Sequence, residues 1–390
     1  MASFKELIRK VKGEIREAGV AEARAAQQRG AVLLDVREAD EWAQGHVPGA
    51  VFIPRGFLEQ RVEAEVPGKQ GEVFVYCAGG TRSAFAARTL LDLGYSNVTS
   101  IAGGFGKWKE AGFPVEVPRT LSPEQKQRYS RHLLVPEIGA AGQDTLLRSK
   151  VLLVGAGGLG SPAGFYLAAA GVGTLGLVDS DVVDVSNLQR QILHTNQSVG
   201  KAKTASGAAT LGALNPDVTV VEHQLRLDSS NVLEVIAPYD VIVDGCDNFA
   251  TKYLVNDAAV LTGKTVVYGS IFRFEGQASV FKPGAGPCYR CLFPEPTPSE
   301  LAPSCDEAGV LGVLPGTVGL IQASETLKLL LGIGRPLVGR LLTYDALEQS
   351  FREFRVRRDP GCALCGDNPT IRELEDLAWS CHFEPRPVHA

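Results

Sequence analysis

The sequence predicts two consecutive α/β units, each built on a parallel sheet, and three observations carry that expectation. Short apolar runs, Ala31–Arg37, Glu72–Tyr76, Val151–Val154, Thr174–Val178 and Tyr239–Val243, alternate with helical patterns. The stretch Lys150–Ser161, KVLLVGAGGLGS, passes from uncharged Val and Leu into a glycine cluster and then a helix start. A fresh helix opening at Leu121–Gln125 follows the polar segment Pro118-Arg119-Thr120, which divides the chain into residues 1–118 and 119–390.

Composition narrows the function classes. At 390 residues, 45% hydrophobic and 21% charged, the chain is long enough for two packed cores. A net charge of -5, with no basic run longer than Arg355–Arg358, argues against nucleic acid as a partner. The start, MASFKELIRKVKGEI, is a charged amphipathic helix pattern without an apolar signal region, so a cytoplasmic location is expected. Val151–Val178 carries no charge, but eight glycines and a proline fall within it. It parses as strand, turn, helix (Gly164–Ala170) and strand (Thr174–Val178) rather than as a membrane span. Eight cysteines in a reducing compartment point to metal or catalysis before disulfides.

In the first unit, Ala31–Arg37 reads as a buried strand with a polar tip, and GHVPGAVFIP as a turn-rich loop into a second short strand. Strand Glu72–Tyr76 runs directly into Cys77-Ala78-Gly79-Gly80-Thr81-Arg82-Ser83 and a helical pattern. A cysteine at a strand exit, where a glycine-bearing loop closes onto a helix N-terminus beside an arginine, meets converging N–H donors that favour a thiolate or persulfide. The plainer reading is a small buried residue ending a strand. The surrounding motifs decide between them: Asp35-Val36-Arg37, Glu41-Trp42, Gly45-His46-Val47-Pro48-Gly49-Ala50, the C-x-G-G-x-R-S loop, Gly103-Gly104, Trp108, Gly112 and Pro114. Over residues 20 to 117 this set resembles the rhodanese (sulfurtransferase) family. That resemblance implies that Cys77 carries sulfane sulfur as a persulfide, held by Arg82 and the loop N–H groups. A phosphatase with a related cysteine-to-arginine loop is the rival, but no aspartate acid can be placed for it.

The second unit opens with Ser122 as N-cap, Pro123 at N1 and Gln125 at N3, on a helix leading to Arg128-Tyr129-Ser130-Arg131-His132. Gly155, Gly157 and Gly160 form G-x-G-x-x-G, which lets the backbone approach a phosphate while helix N–H groups face it. Asp179, about 20 residues beyond, suits a ribose. NAD and ATP both fit that far. Asp184 to Gln191 and Gly200-Lys201-Ala202-Lys203 add cations and amides that suit a triphosphate. A strand then leads to Asp244-Gly245-Cys246-Asp247-Asn248, where a carboxylate at the sheet edge can hold Mg2+; the plainer reading of Asp247 is a helix cap. Cys288-x-x-Cys291 and Cys362-x-x-Cys365 supply four thiolates in two pairs, which fits a tetrahedral structural Zn2+ site. Two disulfides are the alternative that the compartment disfavours. Cys246 and Cys381 read as plain residues, and Thr370–Trp379 as a helix.

In order, RYSRHLLVPEIG, VGAGGLGS, LVDSDVVDVSNLQRQILH, VGKAK, DGCDN, EGQASVF, PCYRCLFP, SCDEAGVLG and GCALCG make Leu121 to Gly366 resemble the E1-like activating enzymes. The branch is that of molybdopterin-synthase adenylyltransferase and its thiamine-pathway counterpart. This implies a Rossmann-type nucleotide-binding domain with a zinc site. It also implies ATP contacts at Gly158, Asp179, Ser186, Asn187, Leu188, Gln189, Arg190, Lys203, Asp247 and Asn248, with Arg190 and Lys203 neutralising phosphate and Asp247 carrying Mg2+. Arg131, the second arginine of R-Y-x-R, would reach into a partner's site, which implies a homodimer. Cys305, which belongs to neither cysteine pair, is the position that in some relatives links covalently to a carrier's C-terminus.

Together the halves imply ATP-dependent adenylation of the C-terminal Gly-Gly of a small ubiquitin-like sulfur-carrier protein. The Cys77 persulfide, loaded from thiosulfate or a cysteine desulfurase, would then convert the adenylate to a thiocarboxylate. Three alternatives stand beside it: activation for protein conjugation through a Cys305 thioester with a non-catalytic rhodanese domain, a non-enzymatic scaffold, and a nicotinamide dehydrogenase. In fused relatives the rhodanese domain follows the adenylating one, whereas here it precedes it.

Overall fold

The computed structural model describes residues 3–117, 121–295 and 309–376, and the chain divides into two compact units, Met1–Ser122 and Pro123–Ala390. The described residues form thirteen strands: β1 (Arg16–Ala18), β2 (Val32–Asp35), β3 (Val51–Phe52), β4 (Glu72–Tyr76) and β5 (Asn97–Ile101) in the first unit; β6 (Lys150–Val154), β7 (Thr174–Val178), β8 (Thr219–His223), β9 (Val241–Asp244), β10 (Thr265–Phe272), β11 (Glu275–Phe281), β12 (Arg340–Asp345) and β13 (Ser350–Arg355) in the second.

The first unit's sheet runs β1-β5-β4-β2-β3, parallel throughout. Its central strands are apolar on both faces, as a sheet covered by helices on each side requires. One face packs Leu34, Val73, Val75 and Cys77 against Ala86, Ala87 and Leu90 of the helix Thr81–Asp92. The other packs Leu33, Phe74 and Tyr76 against Phe105 and Trp108 of the helix Gly104–Glu110. The amphipathic start forms the helix Phe4–Glu14, capped reciprocally by Ser3 and Glu6.

The second unit's sheet runs β13-β12-β11-β10-β9-β6-β7-β8. Strands β10, β9, β6, β7 and β8 are parallel, and β11, β12 and β13 extend them antiparallel, an extension that the expectation of parallel sheets did not include. The chain leaves β6 outward to β7 and β8, then returns to β9 on the other side. That reversal opens a crevice at the carboxyl ends of β6 and β9, where open α/β sheets bind ligands.

Three sequence expectations are corrected here. The helix placed at Gly164–Ala170 begins at Gly160, because Pro162 lies in its first turn, where a missing N–H costs no intrahelical bond. The strand placed at Tyr239–Val243 is Val241–Asp244. The helix expected at Thr370–Trp379 is absent over residues 370–376. There the Thr370 and Ile371 N–H groups donate to the Ala363 carbonyl, and Asp376 accepts the Ser229 N–H and Oγ–H at 2.8 and 2.7 Å. Among the described residues no helix is long and apolar enough to cross a membrane.

Candidate active sites

At the exit of β4 the loop Cys77–Ser83 wraps the Cys77 sulfur. Gly80, at φ 95°, turns its N–H onto Sγ at 3.1 Å, and Ser83 Oγ lies 3.6 Å away. Gly104 seals the loop from behind, where any Cβ would overlap the Cys77 carbonyl. Burial pushes the Cys77 thiol up, but the Ser83 N–H and hydroxyl, with the N–H groups of Gly80 and Gly79, outweigh it and hold the thiol below its ordinary value. Arg82 forks onto Glu41 instead, at 2.5 and 2.8 Å. That bond, with help from the Glu38 N–H and despite some burial, holds the Glu41 carboxyl down at about 2. Glu41 is placed in turn by Arg37, a buried side chain that clamps Asp35 at 2.6 Å and reaches the Glu41 and Gly45 carbonyls. The D-V-R and G-H-V-P-G-A motifs thus build a brace: Asp35 holds Arg37, Arg37 holds the Glu38–Gly45 segment, and Glu41 holds Arg82.

In the second unit a cavity of about 730 Å³ opens at the carboxyl ends of β6, β7 and β9, within the size range of a nucleotide pocket. Gly155 (φ 97°) makes the turn beneath it, and a Cβ on Gly160 would overlap the Gly155 carbonyl, so both positions need glycine. Asp179 accepts the Ala156 N–H at 2.9 Å and the Asp181 N–H at 2.9 Å, which ties β7 to the glycine turn; burial raises its carboxyl above the usual value. Lys203, itself buried, pairs at 2.8 Å with Asp181, whose side chain is 64% exposed. The exposed Asp247 stands on the turn after β9, and Asn248 caps the helix Phe249–Thr262 by accepting the Thr251 N–H at 2.8 Å.

The four paired cysteines converge. Sγ–Sγ distances are 3.9 Å (Cys288–Cys291), 3.7 Å (Cys288–Cys362) and 3.3 Å (Cys291–Cys365), and all four sulfurs lie within 4.8 Å of one another. A tetrahedron of thiolates about 2.3 Å from a zinc ion has edges of about 3.8 Å, so the donor set fits that metal. None of the six described cysteines forms a disulfide. The helix Phe249–Thr262 holds the first pair in place: Asn256 accepts the Tyr289 N–H at 2.8 Å, and Asp257 takes a fork from Arg290 at 2.8 and 2.7 Å.

Comparison with known proteins agrees with this geometry. Residues 129–364 match the ThiF family. This chain belongs to that family. Ahead of the ThiF portion, residues 19–111 match the rhodanese-like domain. The sulfur carrier protein adenylyltransferase of Thermus thermophilus is 54% identical over 263 residues, covering 66% of this chain and 97% of that protein. The probable adenylyltransferase/sulfurtransferase MoeZ of Mycobacterium tuberculosis is 52% identical over 271 residues, covering 68% of each chain. The crystal structure of E. coli MccB matches with a TM-score of 0.53 at 24% identity, over 65% of this chain and 74% of that one, a likeness of fold.

Within the ThiF portion, Gly158, Asp179, Arg190, Lys203, Asp247 and Asn248 line the cavity at the glycine turn. Ser186 and Asn187, on the turn Val185–Asn187, and Leu188 and Gln189 just after it are not among its lining residues. Nor is Arg131, which is exposed on the helix Ser130–Leu133. Cys305 and Cys381 lie outside the described residues. The cavity also includes Gln191, the last of the Asp184–Gln191 stretch read as suiting a triphosphate, and Arg226, Lys252 and Ser270, none of which was picked out from the sequence as a nucleotide contact. For Lys252 the only signal was its place four residues after the cap Asn248, in the first turns of the helix.

Proposed function

We propose that this chain is an ATP-dependent adenylyltransferase and sulfurtransferase acting on a small ubiquitin-like sulfur-carrier protein that ends in Gly-Gly. The reading rests on one observation: a single chain carries both a cavity at the glycine turn of a ThiF-family unit and a loop whose N–H groups and hydroxyl converge on a cysteine sulfur. In the first half-reaction the carrier's terminal carboxylate attacks the α-phosphorus of ATP, giving an acyl adenylate and pyrophosphate. The protein positions the phosphates and offsets their charge. The glycine turn presents backbone N–H groups, and Arg190 at the cavity wall faces the α-phosphate. Lys203 exchanges its solvent-exposed partner Asp181 for phosphate. Asp247 would hold Mg2+, which would supply positive charge against the phosphates. The four cysteines hold Zn2+ as a structural clamp.

In the second half-reaction the outer sulfur of a Cys77 persulfide attacks the acyl carbon and displaces AMP, leaving an acyl disulfide on Cys77. A thiol reductant supplies two electrons to break the S–S bond, releasing the carrier thiocarboxylate and Cys77. Thiosulfate or a cysteine desulfurase loads the persulfide. The enzyme works as a cytoplasmic homodimer in which Arg131, absent from its own chain's cavity, serves the partner. Exposed Leu134, Tyr166 and Val313 supply apolar surface for that association.

The test is mass spectrometry of Gly-Gly carriers incubated with enzyme, ATP, a sulfur source and dithiothreitol. The expected product has one sulfur in place of one oxygen. Cys77→Ser forms adenylate and releases pyrophosphate but yields no thiocarboxylate. If Cys77→Ser made thiocarboxylate at the wild-type rate, the sulfur-transfer half would be wrong; if the wild type released no pyrophosphate with any carrier, the whole scheme would be.

A further inference from the structure

Beneath the cavity lies an ion pair that none of the steps above uses. Lys252, 5% exposed, extends from the helix Phe249–Thr262 back under the sheet. Its Nζ donates to Asp244 Oδ2 at 3.0 Å and to the Gly269 carbonyl at 2.8 Å, and stands 5.0 Å from the centre of the Tyr268 ring. Asp244, the last residue of β9, is equally buried, and its other carboxylate oxygen accepts the Cys246 N–H at 3.0 Å. One carboxylate therefore holds the ammonium on one oxygen and the Gly245–Asp247 turn on the other. Its own carbonyl is fixed from below by Gln322 Nε2 at 2.7 Å.

The contrast with Lys203 is informative. Lys203 is paired with an aspartate that is 64% exposed, a partner that can be exchanged for an incoming phosphate. The Lys252–Asp244 pair has side chains 5% and 4% exposed, and each member has further protein partners. Separating it would leave a largely buried charge without its counter-ion, so Lys252 keeps Asp244 rather than serving as a phosphate ligand.

We propose that Lys252 and Asp244 are positioning residues of the nucleotide site: together they fix the Gly245–Asn248 turn so that Asp247 meets the metal-bound phosphates. Without the ammonium, the Asp244 carboxylate is buried with no counter-charge. It takes up a proton or turns toward water, the Cys246 N–H loses its acceptor, and Asp247 is no longer held. The inference rests on the adenylation reading for what Asp247 does, but not for how its turn is held.

Two measurements test it. In carrier-dependent ATP–pyrophosphate exchange, Lys252→Met raises the Mg2+ concentration for half-maximal rate about tenfold while the KM for carrier stays put, as loss of a residue that orients a metal ligand does. Lys252→Arg, which keeps the charge, stays within about twofold of wild type on the same scale. Lys252→Gln moves in the same direction as the methionine variant and substitutes for it if that variant does not fold. By hydrogen exchange read on peptides, the Gly245–Asn248 segment of Lys252→Met or Lys252→Gln exchanges faster while Lys150–Val154 is unchanged. An unaltered Mg2+ requirement in the folded variant, or faster exchange spread evenly over both peptides, overturns the proposal. A wild type without pyrophosphate exchange overturns the adenylation reading and leaves the peptide measurement to decide this one.

Discussion

The turn from β4 into the helix Thr81–Asp92 and the turn from β6 into the helix Gly160–Ala170 are built alike. Each leaves a buried parallel strand, bends at a glycine with φ near +95° (Gly80 at 95°, Gly155 at 97°) and delivers N–H groups to the start of a helix. They differ in what fills the space in front of those groups. In the first, the chain supplies its own acceptor: Cys77 Sγ, 3.1 Å from the Gly80 nitrogen. In the second, the Ala156 N–H is taken by Asp179, and Gly157 and Gly158 put no side chain into a cavity of about 730 Å³. The same backbone device becomes a cradle for a sulfur or the floor of an open cavity according to whether the strand is followed by cysteine or by glycine.

The widest separation between the two turns comes from Gly160→Ala. With backbone in the way of its Cβ, the β6 turn must open, and nucleotide affinity measured by calorimetry falls about a hundredfold or more. Alkylation of Cys77 proceeds as before, and parallel loss of both would break the comparison. A smaller effect is expected of Arg190→Ala, which keeps the turn and removes charge at the cavity wall. The turnover of pyrophosphate exchange drops about 10²-fold with a lesser change in the KM for ATP. The smallest belongs to the β4 turn. Ser83→Ala removes the hydroxyl that favours the Cys77 thiolate, so the pH midpoint of its alkylation moves up toward the ordinary thiol range. The rate at neutral pH falls about three- to tenfold. The sign follows from the lowered thiol: the wild-type thiolate persists to lower pH than a free cysteine's, and the variant gives up that range. A midpoint that stayed in place would assign the lowering to the backbone alone.

Elements bounded by sharp composition changes were legible in the sequence. Strands Glu72–Tyr76 and Thr174–Val178 are found residue for residue, since each is an apolar run cut off by polar or glycine-rich neighbours. The two cysteine pairs were equally plain, because two C-x-x-C pairs have few uses besides holding a metal. What stayed hidden depends on partners distant in sequence. Arg82 reads as a sulfur-binding residue, yet its fork is filled by Glu41, 41 positions earlier. Lys252 reads as one more lysine in a helix start, and only the sheet shows that it reaches back to Asp244. The missing helix at residues 370–376 is the same lesson in the backbone: hydrogen bonds to Ala363 and Ser229 outweigh local helical preference.

Cys77 is 1% exposed. Reagents that load or alkylate Cys77 must therefore be slender enough to pass between the loop's N–H groups, and the same walls keep bulky oxidants out. Size, before chemistry, decides which molecules the cysteine meets.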